Sequence, residues 1–305
     1  MVGMNVLWIF AHPEQRSLGG ALRDEGLRAL REAGHDHRLS DLYAMRWNPV
    51  VDGADFRHDE GERLIVGAAS HRAFDSGTLS EDIRAEQEKI AWADALIVQF
   101  PLWWYGMPAI LKGWFDRVFV KGLAYGVRGP DGRTLRYGDG KLAGKRAMVV
   151  LTAGAPEATM GPRGVNGEID DLLFPLQHGT FWYSGMSVLP PYVVYGADRV
   201  PAEAYEAHAA ALRKRLAALP TEEPIPFRRQ NGGDYDERLV LRPDLLPGRT
   251  GLSVHYAHPH DEATQEALTD TPAAQEAPAT PPDTPAAQHS PAAQDAPATP
   301  AARGA

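Results

Sequence analysis

Short apolar runs alternate with longer amphipathic stretches from the amino terminus to about residue 219. Residues Asn5–Phe10 (NVLWIF) read as a buried strand that stops at Ala11-His12-Pro13, because proline cannot continue it. Ser17 then stands as the cap of a helix in which Leu18, Ala21, Leu22, Ala29, Leu30 and Ala33 share a face, with Gly34 as its stop. A weaker strand follows over Asp36–Asp41. Thr78 with Glu81 reads as a capping box opening a helix that runs to Ala93, and residues 95–100 (ALIVQF) form the next buried strand. Ile110, Trp114 and Val118, beside Leu111, Phe115 and Phe119, give a wide apolar helical face. Further strands are expected over 146–151 and 187–194, and further helices over 169–183 and 201–219. Residues 47–77 are too polar and too broken to assign.

Apolar strands alternating with amphipathic helices imply an α/β fold: a doubly wound parallel sheet with helices on both faces, since right-handed crossovers pack back only in that way. In such sheets ligands bind beyond the carboxyl ends of the strands. The three loops there, residues 11–17, 101–107 and 152–166, are therefore expected to compose one site.

Composition narrows the picture. The chain has 305 residues, is 44% hydrophobic and carries a formal charge of -9. Much of that charge lies near the carboxyl terminus, where Asp261, Glu262, Glu266, Asp270, Glu276, Asp283 and Asp295 are balanced only by Arg303. The remainder is nearer neutral, which gives no reason to expect a nucleic-acid partner. Cysteine is absent, excluding disulfides and thiolate chemistry. No stretch approaches the roughly 18 consecutive apolar residues of a membrane span, and no signal peptide is readable, so a cytoplasmic protein without membrane insertion is expected. The pairs His35/His37 and His258/His260 lack partners at metal-ligand spacing and read as surface histidines. From residue 257 a Pro, Ala, Thr and Gln mixture is expected to be disordered. The organisation expected is a domain over 1–219, an extension over 220–256 packed on that domain or on a dimer partner, and a tail over 257–305.

The loops carry the candidate chemistry. The first runs into a helix amino terminus, which offers free N–H groups to an anion, with His12 and Arg16 as side-chain donors; equally, Ser17 reads as no more than a cap. A dinucleotide fingerprint is missing: Gly138, Gly140 and Gly144 fail the G-x-G-x-x-G spacing by one residue, and Gly161, Gly164 and Gly167 do not match it. The second loop sets Trp103, Trp104 and Tyr105 among Pro101, Gly106 and Pro108, and the third is rich in glycine and small residues. Together they suit a planar ring with polar edges. Three aromatics filling a core or a subunit interface is the alternative.

Five ordered blocks decide between these. AHPEQRSLGGAL, DLYAMRWNPVVDGADF, FPLWWYGMPAILKGWFDRVF, GLAYG and GEIDDLLFPLQHGTFWYSGMSVLPP resemble the NAD(P)H:quinone oxidoreductases of the flavodoxin-like superfamily. The resemblance implies a five-stranded flavodoxin-like sheet, a homodimer with sites at the subunit interface, a bound flavin (FAD, with FMN possible), NADH or NADPH as cosubstrate, and two-electron reduction of quinones. Carried over by position, it assigns His12, Arg16, Ser17, Leu18 and Ala21 to the phosphate and adenylate side. Pro101, Leu102, Trp103, Trp104 and Tyr105 would line the ring, as would Thr152, Ala153, Gly154 and Ala155, whose backbone N–H groups would meet its polar edge. Tyr125 would reach the neighbouring subunit's substrate pocket. Where the mammalian-type enzymes carry a Tyr and, six residues later, a His, this chain has Met160 and Asn166. Asn166 then reads either as a flavin contact or as a helix cap, and Met160 as a flavin contact or a gap filler. Gly19 stands where the family often has Asn. A flavodoxin-like electron carrier, and an ancillary regulator of a potassium-efflux transporter, are the rival functions.

Overall fold

The computed structural model describes residues 3–257. Its strands are β1 (Asn5–Phe10), β2 (Asp36–Asp41), β3 (Ala95–Pro101), β4 (Arg146–Thr152), β5 (Ser187–Val188) and β6 (Tyr192–Val194). Its helices are α1 (Leu18–Glu32), α2 (Val66–Ser76), α3 (Glu81–Trp92), α4 (Ala109–Val118), α5 (Ile169–Leu176) and α6 (Ala202–Ala218). All pairings are parallel and the order is β2-β1-β3-β4-β5, the flavodoxin-like order. The strand expected over 187–194 is interrupted. Pro190 and Pro191 cannot donate to a ladder, so β5 pairs with the start of β4 and β6 with its end, sharing the fifth position.

Strand alternation sends side chains to two cores. Val6, Trp8, Phe10 and Ile97 pack with Leu22 and Leu30 of α1 and Leu212 and Leu216 of α6. Leu7, Ile9, Leu96, Val98 and Val149 pack with Ile83, Ile90, Leu111, Trp114 and Phe115 on the other face. Gly26 is a close-approach glycine: a Cβ there would lie 2.2 Å from the Trp8 ring.

Three local expectations need correction. His35, expected at the surface, is buried at 6% exposure, and its Nδ1 accepts the Met4 N–H at 3.0 Å. Ser80, not Thr78, occupies the cap position of α3; the Thr78 hydroxyl instead pairs with Ser76 at 2.9 Å. The helix expected over 169–183 changes character, with α5 giving way to a π-helical turn over Gln177–Trp182, just after Pro175 removes a backbone donor.

Within residues 47–77, the stretch up to Phe56 is held by long-range charge pairing, whereas α2 packs through Ala69, Ala73 and Phe74. Asp52 and Asp55 cap a 3-10 turn over Gly53–Phe56. The buried Arg117 of α4 binds Asp55 at 2.6 Å, Asp82 at 2.6 Å and the Asn48 carbonyl at 3.1 Å, and lies 4.7 Å from the Trp47 ring centre. The 220–256 segment folds back on the same chain. Phe227 stands 5.0 Å from His178 and 4.9 Å from Tyr256, and the Trp182 indole donates to the Arg228 carbonyl at 3.1 Å. From residue 258 the expected tail, with its His258/His260 pair, lies outside the described residues. Among the described residues, no helix is long and apolar enough to cross a membrane and no group of three His, Asp or Glu could hold a metal.

Removing the guanidinium leaves Asp55 buried without its partner, so Arg117→Ala is expected to cost about 3–5 kcal/mol. Urea denaturation checks this, and a loss within about 0.5 kcal/mol would contradict the network's role. A second prediction concerns acid. His178 is stacked 4.4 Å from Phe174 and 4.9 Å from Tyr137, and burial, reinforced by His255, pushes its pKa down to about 4. Between pH 6.5 and about 4 the unfolded chain takes up this proton while the fold refuses it. The resulting stability is complete above pH 6.5 and fades towards pH 4, by on the order of 2–3 kcal/mol. Melting curves across that window should slope more gently in His178→Phe than in the parent.

Candidate active site

The register of β3 and β4 puts Pro101 beside Thr152, so the second and third loops leave the sheet side by side. The Leu102 N–H donates to the Thr152 carbonyl at 2.8 Å, extending this pairing one step beyond β3. There Leu102, Trp104, Tyr105, Ala153, Gly154, Ala155, Met160 and Asn166 line one cavity of about 170 Å³. The two loops therefore meet.

The aromatic loop is a tight, strained turn. Trp103 and Gly106 exchange both backbone hydrogen bonds at 3.0 Å, while Trp104 and Tyr105 between them adopt φ of 48° and 60°. Two consecutive left-handed residues define a turn that favours Asn-Gly. Placing Trp and Tyr there costs about 1–2 kcal/mol each. Trp104 is moreover 97% exposed and Tyr105 52%. Neither strain nor exposure benefits a folded core, so the alternative in which these rings fill the interior of this chain does not describe them.

Across the cavity the third loop approaches closely. Its Ala153 N–H is not available to a ligand, which corrects the expected donor set: it donates to the Val194 carbonyl at 2.9 Å and continues the sheet. The N–H groups of Gly154 and Ala155 have no acceptor among the described residues. Arg199 reaches the Gly154 carbonyl at 3.4 Å. Asn166 caps no helix, because α5 begins after Glu168. Its side chain accepts from the Tyr105 hydroxyl at 2.8 Å and donates to the Thr159 hydroxyl at 2.9 Å. Met160 is 2% exposed and fills the cavity floor. Thr159 and Arg199 carry no motif and were not legible in the sequence.

The first loop stands alongside rather than within this cavity. His12 is 6.4 Å from Trp103, ring centre to ring centre, and its Nδ1 is engaged with the Glu14 backbone at 3.0 Å. Ser17 does cap α1, accepting the Gly20 N–H at 3.1 Å, with Leu18 and Ala21 half-buried on the first turn. Arg16 extends into solvent and pairs with Glu14 at 3.1 Å; that contact holds the Glu14 carboxyl down at about 2. Tyr125 lies apart, in a separate cavity of about 480 Å³ lined also by Phe56, Met107, Phe119, Pro175 and Tyr183. Within one chain, then, the structure brings the second and third loops together, sets the first beside them, and leaves Tyr125 elsewhere.

Residues 4–217 match the model of the flavodoxin-like fold family. A ribosyldihydronicotinamide dehydrogenase-like protein of Penicillium crustosum is 44% identical over 235 residues, which cover 76% of this chain and 87% of that one. The human ribosyldihydronicotinamide dehydrogenase [quinone] is 37% identical over 228 residues, 74% of this chain and 96% of the relative. The chain belongs to the flavodoxin-like NAD(P)H:quinone oxidoreductase family. Among solved structures, a Klebsiella pneumoniae protein named as a candidate quinone reductase is 52% identical with a TM-score of 0.81, covering 84% of this chain and all (100%) of that one. Membership in this oxidoreductase family makes the chain an enzyme of the redox class.

A Cβ on Gly164 would lie 2.2 Å from the Thr159 carbonyl, against backbone that cannot swing aside. Gly164→Ala is accordingly expected to displace the third loop, lowering turnover about tenfold or more while the circular-dichroism spectrum of the sheet stays intact. Parent-like turnover in that variant would remove the third loop from the site.

Proposed function

We propose that this chain is a flavin-dependent NAD(P)H:quinone oxidoreductase that passes two electrons from NADH or NADPH to quinones through one slot, occupied by donor and acceptor in turn. A cytoplasmic homodimer is part of this reading. The single observation that carries it is the strained, exposed Trp104–Tyr105 turn facing the unpaired N–H groups of Gly154 and Ala155 in one cavity. A flat ring with an electron-rich edge matches both halves of that donor set: aromatic faces for the ring, backbone N–H for the edge.

A bound flavin would supply the hydride acceptor and donor that side chains lack. Leu102, Trp103, Trp104 and Tyr105 would hold it on one side, with Pro101 fixing where the turn leaves the sheet. The Gly154 and Ala155 N–H groups are preorganised donors for charge that develops on a ring edge, since they need no reorientation when it appears. Thr152 and Ala153 hold that loop to the sheet. The amino terminus of α1, with His12, Arg16, Ser17, Leu18 and Ala21, suits a phosphate. We infer FAD rather than FMN from the resemblance in this segment, with FMN as the alternative. Tyr125 opens on a cavity that shares no residue with the flavin cavity, consistent with service to a neighbouring subunit rather than to its own.

Initial rates with NADH and a small quinone are expected to give parallel double-reciprocal lines; intersecting lines would refute the shared slot. No histidine lines the cavity, so the rate of flavin reduction in His12→Ala should show no ionisation near pH 6.5. A clear inflection there in stopped-flow measurements would contradict this assignment. Electron delivery to a protein acceptor, with no quinone reduction, would instead identify a carrier.

A further inference from the structure

The aromatic turn is strained, yet nothing within it explains why it stays folded over the third loop. Its reciprocal Trp103–Gly106 hydrogen bonds close the turn on itself but do not tie it to residues 152–166. One side-chain chain does. Tyr105 meets Asn166 across 61 positions of sequence, and Asn166 meets Thr159. We propose that Tyr105, Asn166 and Thr159 form a polarised latch that fastens the aromatic turn to the third loop, with Tyr105 and Thr159 as positioning residues for the flavin-binding wall.

The direction of every hydrogen bond in this latch follows from donor counting. The Thr159 hydroxyl donates its hydrogen to the Pro156 carbonyl at 2.8 Å, so towards Asn166 it can only accept. Asn166 must therefore turn its Nδ2 to Thr159 at 2.9 Å, which aims Oδ1 at Tyr105. The phenol has one hydrogen and Oδ1 none, so Tyr105 donates, at 2.8 Å. One amide orientation satisfies all three contacts, and the backbone N–H of Asn166, bonded to the Thr159 carbonyl at 3.0 Å, holds the same pair of residues a second time.

The latch leaves unused capacity on two residues that line the cavity: the lone pairs of the phenol and one hydrogen of Nδ2. It contains no imidazole and no carboxylate. Position therefore depends on neutral groups throughout, and Asn166 acts here through its two partners rather than as a proton carrier. Tyr105 is half exposed, so each link is worth what a solvent-accessible neutral hydrogen bond is worth, about three- to tenfold in an equilibrium constant.

The role as a wall for flavin rests on the function proposed above, whereas the fastening of the turn does not, and the test separates them. Tyr105→Phe, Thr159→Val, their double variant and Thr159→Ser are compared with the parent in two measurements. Hydrogen exchange of the Trp103 and Gly106 amides in the apoprotein reads the turn, and titration of apoprotein with FAD reads the wall. Tyr105→Phe and Thr159→Val should each speed exchange about three- to tenfold and weaken FAD by a similar factor, with melting temperatures lowered by no more than a few degrees. The double variant should be no worse than either single change, because both break one chain, and Thr159→Ser should match the parent. Parent-like exchange in Tyr105→Phe, or additive effects in the double variant, would overturn the latch. Faster exchange with unchanged FAD affinity would overturn its positioning role. Should the parent bind neither FAD nor FMN, the proposed function fails, and the exchange experiment alone still decides whether the turn is fastened.

Discussion

The seating of the first loop and of α1 on the sheet depends on one buried amide. Gln99 sits in the middle of the sheet on β3, 1% exposed, and every polar atom of its side chain is used. Its Oε1 accepts the Trp8 indole N–H at 2.9 Å, its Nε2 donates to the Gly19 carbonyl at 2.7 Å, and its backbone carbonyl accepts the Ala11 N–H at 3.0 Å. A single residue thus ties the end of β1, the first turn of α1 and the approach to the aromatic loop. Each bond adds only about 1 kcal/mol net, but a buried amide left unpaired would cost about 1–3 kcal/mol, so the arrangement is specified more sharply than its net energy suggests.

Elements whose stabilising partners are close in sequence were legible before the structure. The alternation of β1, α1, β3, α4 and β4 is written in local apolar periodicity, and Ser17 and Gly34 bound α1 as residues of their types should. Residues 47–77 were opaque for the opposite reason. Asp55 looks like part of a solvated loop until Arg117, 62 positions away, brings the neutralising charge. Two hydroxyls two residues apart precede α3, and pattern alone picks the wrong one. The split of the fifth strand was present as Pro190-Pro191, but the apolar run around the prolines masked it.

Much of the candidate site was legible for a topological reason. Parallel neighbours deliver their following loops to the same edge, so an aromatic loop after β3 and a glycine-rich loop after β4 had to meet once the alternation was accepted. The finer chemistry was not legible, because it lies in which donors the fold consumes. Ala153 spends its N–H on β6, while Gly154 and Ala155 keep theirs. Asn166 joins two hydroxyls rather than capping a helix, and one of them, Thr159, stands in no motif. Tyr125 lines a different cavity of the same chain from the one between the second and third loops, a separation that no spacing along the sequence encodes.

These features converge on one cavity at the rim of a flavodoxin-like sheet, lined by an aromatic turn held at a conformational cost and by a loop whose backbone donors are kept free. The most direct test is the visible spectrum of the purified protein, followed by heat release and chromatographic identification of any chromophore. The account predicts a yellow protein that yields FAD. A colourless protein whose spectrum is unaltered by added FAD or FMN would contradict it.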